Sequence, residues 1–140
     1  MLAVKFDQVQ VGDELPVVKK APLTRKMLAL FAGASGDHNA VHIDIDAARA
    51  AGLPDVIGHG MLTMACLGQV LTGWVAQSSI RSYSARFVAP THVGDALRCT
   101  GRVVEKGDGE ADGTVRIQLQ AIDQFGEIKV RGEAVVVLGA

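Results

Sequence analysis

Hydrophobic positions fall into three regimes along the chain. In the first third, Thr24 has the chemistry of an N-cap, and Met27, Leu30, Phe31 and Ala34 follow at the i, i+3, i+4, i+7 spacing of one helical stripe. Gly33, Ser35 and Gly36 close that helix. Asp44 or Asp46 is placed to cap a second, short helix through Ala47–Ala51, with Gly52 as its stop and Pro54 preventing resumption. From Met61 the sequence is apolar or small all the way round, which predicts a helix buried on every side. The last regime alternates with period two. Tyr83, Ala85, Phe87 and Ala89 interleave with Ser82, Ser84 and Arg86, and Val115, Ile117, Leu119 and Ala121 with Arg116, Gln118 and Gln120. Ile128, Val130, Ala134 and Val136 stand opposite Lys129, Arg131 and Glu133, which are expected on the wet face. Gly94-Asp95, Asp108-Gly109, Asp112-Gly113 and Phe125-Gly126 supply turns, so the second half is expected to be an antiparallel meander of four strands. Near the start, Val4–Phe6 reads as a short strand, with a turn at Val11–Glu14 and an extended segment ending at Pro16. A sheet with one apolar face and a helix with no polar face hide each other, which predicts an α+β domain with a curved antiparallel sheet wrapped around a central helix.

Composition narrows the picture. At 140 residues, without repeat or linker, the chain is expected to form a single domain over 1–140. Nearly half of it is hydrophobic but only 4% aromatic, so the core is aliphatic. A formal net charge of -1 with no basic block argues against nucleic acid or an anionic membrane as partner. Cys66 and Cys99 lie apart in apolar surroundings, as reduced thiols do. With Lys5 and Asp7 near the N-terminus and no apolar run after them, no signal peptide is expected and the location predicted is cytoplasmic. The apolar stretch from Gly60 to Ala76 is short for a membrane span and is interrupted by Gly68, Gln69, Thr72 and Gly73.

The candidate chemistry sits in Ser35-Gly36-Asp37-His38-Asn39-Ala40-Val41-His42, where an acid and a base lie within six residues of each other around Asn39. Taken singly, Asp37 and Asn39 are equally ordinary turn residues, and His42 and His59 ordinary structural histidines. Asp37, His38, His42 and Asp44 include enough donor types for a metal, but a loop leading into a helix would have to fold tightly to converge them, so no metal is expected. His92 reads as a surface residue, Met61, Met64, Leu67 and Leu71 as core packing, and Arg81, Arg86 and Arg102 as solvated strand residues.

Three elements together resemble the MaoC-like, or type-2 (R)-specific enoyl-CoA hydratase, family, whose fold is the hotdog. The first is Phe31 followed by Ser35-Gly36-Asp37, Asn39, Val41 and His42, with Ala40 where the family usually has proline. The second is Ile57-Gly58-His59-Gly60-Met61-Leu62 opening the central helix, and the third is Phe87, Pro90 and Gly94-Asp95. Within the family, Val11-Gly12-Asp13, Pro22–Arg25, Gly60–Met64 and Trp74-Val75 look most like the catalytic subunit of the mycobacterial (3R)-hydroxyacyl-ACP dehydratases. The resemblance implies reversible hydration of trans-2-enoyl thioesters of coenzyme A or acyl carrier protein to (R)-3-hydroxyacyl thioesters. Asp37 and His42 would then act on one water, with Asp37 held in an apolar pocket that raises its pKa. The Gly60 amide would polarise the thioester carbonyl at a helix N-terminus. Ser35, Asn39, His59 and Met61 would be the substrate-binding residues, with Asn39 also helping to hold the loop and His59 shaping the mouth of the site. No metal or redox cofactor is implied, since coenzyme A or phosphopantetheine arrives as part of the substrate. A homodimer joined edge to edge, or a higher homo-oligomer, is the expected assembly, with a heterodimer with a second hotdog subunit as the alternative. Two other classes remain: a non-catalytic partner subunit, which should have lost Asp37 or His42, and a hotdog thioesterase, which needs a carboxylate on the central helix where Met61–Ala76 has no Asp or Glu.

Overall fold

The computed structural model describes residues 3–107 and 113–139. Five strands form one antiparallel sheet: β1 (Val18–Lys19), β2 (Ile80–Phe87), β3 (Arg98–Lys106), β4 (Thr114–Ile122) and β5 (Ile128–Val137), in the spatial order β1-β3-β4-β5-β2. Three helices precede or interrupt them: α1 (Arg25–Ser35), α2 (Ile45–Ala50) and α3 (Gly60–Thr72). Helix α3 packs against all five strands, which is the hotdog arrangement expected of the chain.

The core is the seam between α3 and the sheet. Leu67, Val70 and Leu71 from the helix meet Cys99 and Val103 of β3, the inward row Val115, Ile117, Leu119 and Ala121 of β4, and Val130, Ala134 and Val136 of β5. Cross-strand partners Gly101, Leu119 and Gly132 set a large residue between two glycines. A Cβ on Gly101 would come within 3.0 Å of Val70 Cγ1, and one on Gly132 within 3.3 Å of Leu67 Cδ2. The missing side chains therefore let the helix seat closely on the sheet. A satellite cluster of Leu23, Leu28, Ala48 and Val56, joined by Met27, Leu53, Leu62 and Val93, fastens α1 and α2 beside the start of α3.

Several expectations change. Val4–Phe6 is not a strand; Phe6–Gln8 is a 3-10 turn whose Phe6 amide donates to the Gly139 carbonyl. In α1 the Thr24 cap is as expected, its hydroxyl accepting from the Met27 amide. The buried face, however, carries Leu28 and Ala32, while Leu30 and Ala34 are exposed, because the helix docks on the small α2 cluster rather than on the main core. Asp44, not Asp46, caps α2, accepting from the Asp46 and Ala47 amides. Helix α3 is not buried all round: Met61, Ala65, Gln69 and Thr72 form an exposed flank, since the sheet covers only one side of it. Only β3, β4 and β5 form a meander; β2 crosses back to pair with β5 and becomes the far edge. Of the expected turns, Gly94, Gly113 and Gly126 have positive φ, whereas Asp108-Gly109 and Asp112 lie outside the described residues. Lys129, expected on the wet face, is fully buried at a β-bulge, skipped where the register passes from Ala121↔Val130 to Ile122↔Ile128. Cys66 and Cys99 are free thiols. No described helix is long and apolar enough to cross a membrane.

Candidate active site

The Ser35–His42 stretch is shaped by three successive local hydrogen bonds. Ser35 Oγ accepts from the Asp37 amide at 3.2 Å, Asp37 Oδ1 from the Asn39 amide at 3.2 Å, and Asn39 Oδ1 from the Val41 amide at 3.3 Å. Each is a short side chain bonding backbone two residues on, the geometry Ser, Asp and Asn favour in turns. Gly36, at φ 77°, takes the left-handed conformation that ends α1. Ser35 and Asn39 thus act as loop builders. The chain then tightens into a 3-10 turn over Ala40–His42, so Ala40 supports a regular turn.

Two backbone pairings carry this loop to the rest of the site. The Ile57 amide donates to the Val41 carbonyl at 3.1 Å, and the Gly58 amide to the Thr91 carbonyl at 2.7 Å. Gly58 has no room for a side chain: its Cβ would lie 3.1 Å from Leu23 Cδ2 and 3.2 Å from Thr91 Cβ. The 57–58 peptide is therefore clamped between the Ser35–His42 loop and the segment after β2, and α3 begins two residues later.

His42 uses this clamp. Its Nδ1–H donates to the Ile57 carbonyl at 2.8 Å, which fixes the tautomer and leaves the Nε2 lone pair free. Nε2 stands 3.9 Å from Asp37 Oδ2, too far for a direct hydrogen bond but a spacing that one water can bridge. The His42 side chain is 12% exposed and that of Asp37 is 49% exposed. The apolar pocket expected around Asp37 is thus not supplied by its own chain, because the carboxylate lies at the rim where α1 ends.

His59 is not at the mouth. It is 1% exposed, its ring stacking on His42 and meeting Phe31 edge-on at 4.8 Å between centroids. Its Nε2–H donates to the Asp37 carbonyl at 3.2 Å. Burial pushes its pKa below the ordinary value, so it is a neutral prop under the His42 ring. Gly60 follows as the first residue of α3, where helix amides have no intrahelical acceptor. A pocket of about 320 Å³ brings Gly60 together with His42, Thr63, Phe87, Pro90 and Thr91. Asp37, Ser35, Asn39 and Met61 are not among its lining residues, and Met61 is 59% exposed on the open flank of α3.

A divalent metal has a different candidate set from the one expected: Asp37, His42 and His59, whose nearest donor atoms lie within 4.8 Å of one another. The chemistry of the set fits poorly. His42 Nδ1 and His59 Nε2 are committed to carbonyls, and stacked imidazoles aim their lone pairs side by side rather than at a common point. Sequence reasoning missed the Ile57 carbonyl, which as a backbone group leaves no mark in composition, and the Thr63–Thr91 hydroxyl pair at 3.0 Å that ties α3 to the pocket wall.

3-Hydroxyacyl-thioester dehydratase Z of Mycobacterium tuberculosis is 31% identical over 113 residues, 74% of this chain and 75% of that protein. An (R)-specific enoyl-CoA hydratase of Rhodospirillum rubrum is 28% identical over 137 residues, covering 96% of this chain and 92% of that one. Unliganded R-hydratase PhaJ1 from Pseudomonas aeruginosa superposes with a TM-score of 0.84 at 27% identity, over 98% of this chain and 86% of that chain. A family model described as MaoC like domain matches residues 7–139, and the chain belongs to the MaoC-like family.

Proposed function

We propose that this protein is a hydro-lyase that interconverts trans-2-enoyl and (R)-3-hydroxyacyl thioesters. The observation that carries the reading is the pairing of a base of fixed tautomer, His42, with a helix-start amide, Gly60, across one pocket, with Asp37 a water's width from that base. In the hydration direction, a water held between Asp37 and His42 Nε2 attacks C3 of the substrate while Nε2 takes its proton. Negative charge moves to the thioester oxygen, where the Gly60 N–H and the positive end of the α3 dipole meet it. The imidazolium, stabilised by Asp37, returns the proton to C2, so that H and OH add to the same face and the thioester is left intact. The acyl group reaches the site as a thioester of coenzyme A or of a phosphopantetheine carrier.

The test is the loss of enoyl absorbance from crotonyl-CoA by wild type, Asp37→Asn and His42→Ala. Each variant should lose on the order of 100-fold to 10,000-fold in kcat while remaining folded. Wild-type turnover by either folded variant sinks the mechanism.

The assembly we propose is a homodimer joined through β2. That strand has a partner on one side only, and its end carries the exposed apolar pair Phe87 and Val88. An eight-residue edge without proline is a ready template for a second strand. Sedimentation at micromolar concentration should give twice the chain mass. A monomer that becomes a dimer only with a different hotdog chain would assign the edge to a heterodimer instead.

A further inference from the structure

Among the described residues, Lys129 is the largest side chain that is fully buried. Its Nζ donates to Glu127 Oε1 at 2.6 Å and to the Pro90 carbonyl at 3.0 Å, and lies 3.5 Å from Asp95 Oδ2 and 3.4 Å from Asp123 Oδ2. Both aspartates are themselves buried and anchored. Asp95 Oδ2 accepts from the His92 amide at 2.7 Å, and Asp123 Oδ1 from the Phe125 and Glu127 amides at 2.9 Å each. The Lys129 carbonyl also accepts from the Val88 and Ala89 amides, at 2.8 and 3.2 Å. One residue therefore holds the 88–92 segment by both its backbone and its ammonium, and ties it to the β4–β5 turn.

That segment is the pocket wall. Val88, Ala89, Pro90 and Thr91 line the cavity shared by His42 and Gly60. The Thr91 carbonyl receives the Gly58 amide, and the neighbouring Ile57 carbonyl receives His42 Nδ1–H. A path of three hydrogen bonds, joined by the Pro90–Thr91 backbone and the Ile57–Gly58 peptide, runs from the buried ammonium to His42. A buried cation is a costly way merely to fill space, since well-packed apolar residues often do as well or better.

Building on the hydro-lyase reading, we propose that Lys129 is a positioning residue for the reaction: its ammonium fixes the Pro90–Thr91 segment, and through Gly58 and Ile57 it fixes the tautomer and aim of His42. The test uses Lys129→Met, and a triple variant, Lys129→Met with Asp95→Asn and Asp123→Asn, which removes both buried carboxylates of the cluster and leaves only the exposed Glu127. Wild-type and variant proteins labelled with 15N-histidine are compared by long-range imidazole spectra alongside crotonyl-CoA kinetics. In wild type, His42 shows one tautomer, protonated at Nδ1. In a folded variant it shows a mixture, and kcat falls on the order of 10-fold to 100-fold, as a slightly displaced catalytic group requires, while KM moves by less than about twofold. A folded variant with a single His42 tautomer and wild-type kcat overturns the proposal. Failure of both variants to fold also overturns it, by assigning Lys129 to stability alone. If the wild-type protein turns over no enoyl thioester, the hydro-lyase reading fails, whereas the tautomer comparison still decides the role of Lys129.

Discussion

His59 lies flat against His42, ring centroids 3.9 Å apart and planes 27° from parallel, and each imidazole gives its single N–H to a backbone carbonyl on the other's side of the site. His42 bonds to Ile57, two residues before His59, and His59 bonds to Asp37, five residues before His42. The two motifs thus hold each other in place. Only His42 of the two rings lines the pocket, and that division of labour separates the proposed base from its support.

A neutral His59 gives the protein an acid-side weakness. Its pKa is lowered by burial, so as pH falls below about 6.5 the unfolded chain takes up a proton that the folded chain refuses. Stability contributed above that pH is lost as pH drops toward the folded value, because the unfolded state binds more protons. His59→Phe keeps a ring against His42 but removes this titration. The Tm of wild type minus that of His59→Phe should fall between pH 7 and pH 5, and a difference that rises would mean that His59 is protonated in the folded protein.

The small residues under α3 predict a sharp asymmetry in the core. Gly101→Ala introduces a Cβ only 3.0 Å from both Leu119 Cδ2 and Val70 Cγ1, an overpacking that costs about 1–3 kcal/mol. Leu67→Ala, at a side chain with no exposure, opens a cavity and costs about 2–5 kcal/mol. Denaturant titration measures both. If Gly101→Ala stabilises, the glycine row is not what allows the helix its close approach.

The thiols should differ from ordinary cysteines. Burial pushes Cys99 up to about 12 and raises Cys66 as well, so neither forms much thiolate at neutral pH. Cys99 is inaccessible, whereas Cys66 is partly exposed. Alkylation at pH 8 followed by peptide mass analysis should leave Cys99 unmodified until the protein is unfolded. Labelling of Cys99 in the native protein would show that the sheet opens at β3.

What was legible in the sequence was what repeats along it. Period-two alternation located the inward rows of β4 and β5, and Thr24 and Asp44 marked two helix starts, because caps and alternation are local. The order of the strands was not legible, since nothing in Ile80–Phe87 says that it pairs with β5 rather than β3. Lys129 was misread for a related reason: alternation set it on the wet face, but a bulge and the returning 88–92 segment bury it among carboxylates from two loops. At the site, Asp37, His42 and Gly60 were named from their motifs, but the stacked imidazoles and the Ile57 carbonyl that aims the base arise only when distant segments meet.

Gly60 allows the electrophilic half of the mechanism to be tested apart from sterics. As the first residue of α3 it occupies the position where proline is best tolerated, and His59 before it has φ -61° and ψ 132°, the extended conformation that a following proline demands. Gly60→Pro therefore removes the amide N–H while preserving the helix start. Its cost includes the added Cβ, which would stand 3.1 Å from Phe87 Cε1. Gly60→Ala carries the same Cβ and keeps the N–H, so it is the steric control. Because Phe87 is half-exposed at the strand end, its ring can shift, and Gly60→Ala should raise KM for crotonyl-CoA more than it lowers kcat. Gly60→Pro should lose a further 100-fold to 1,000-fold in kcat, roughly the value of one oxyanion donor. Equal kcat in the two variants would remove the Gly60 amide from the mechanism and leave charge development on the thioester to be met by another donor.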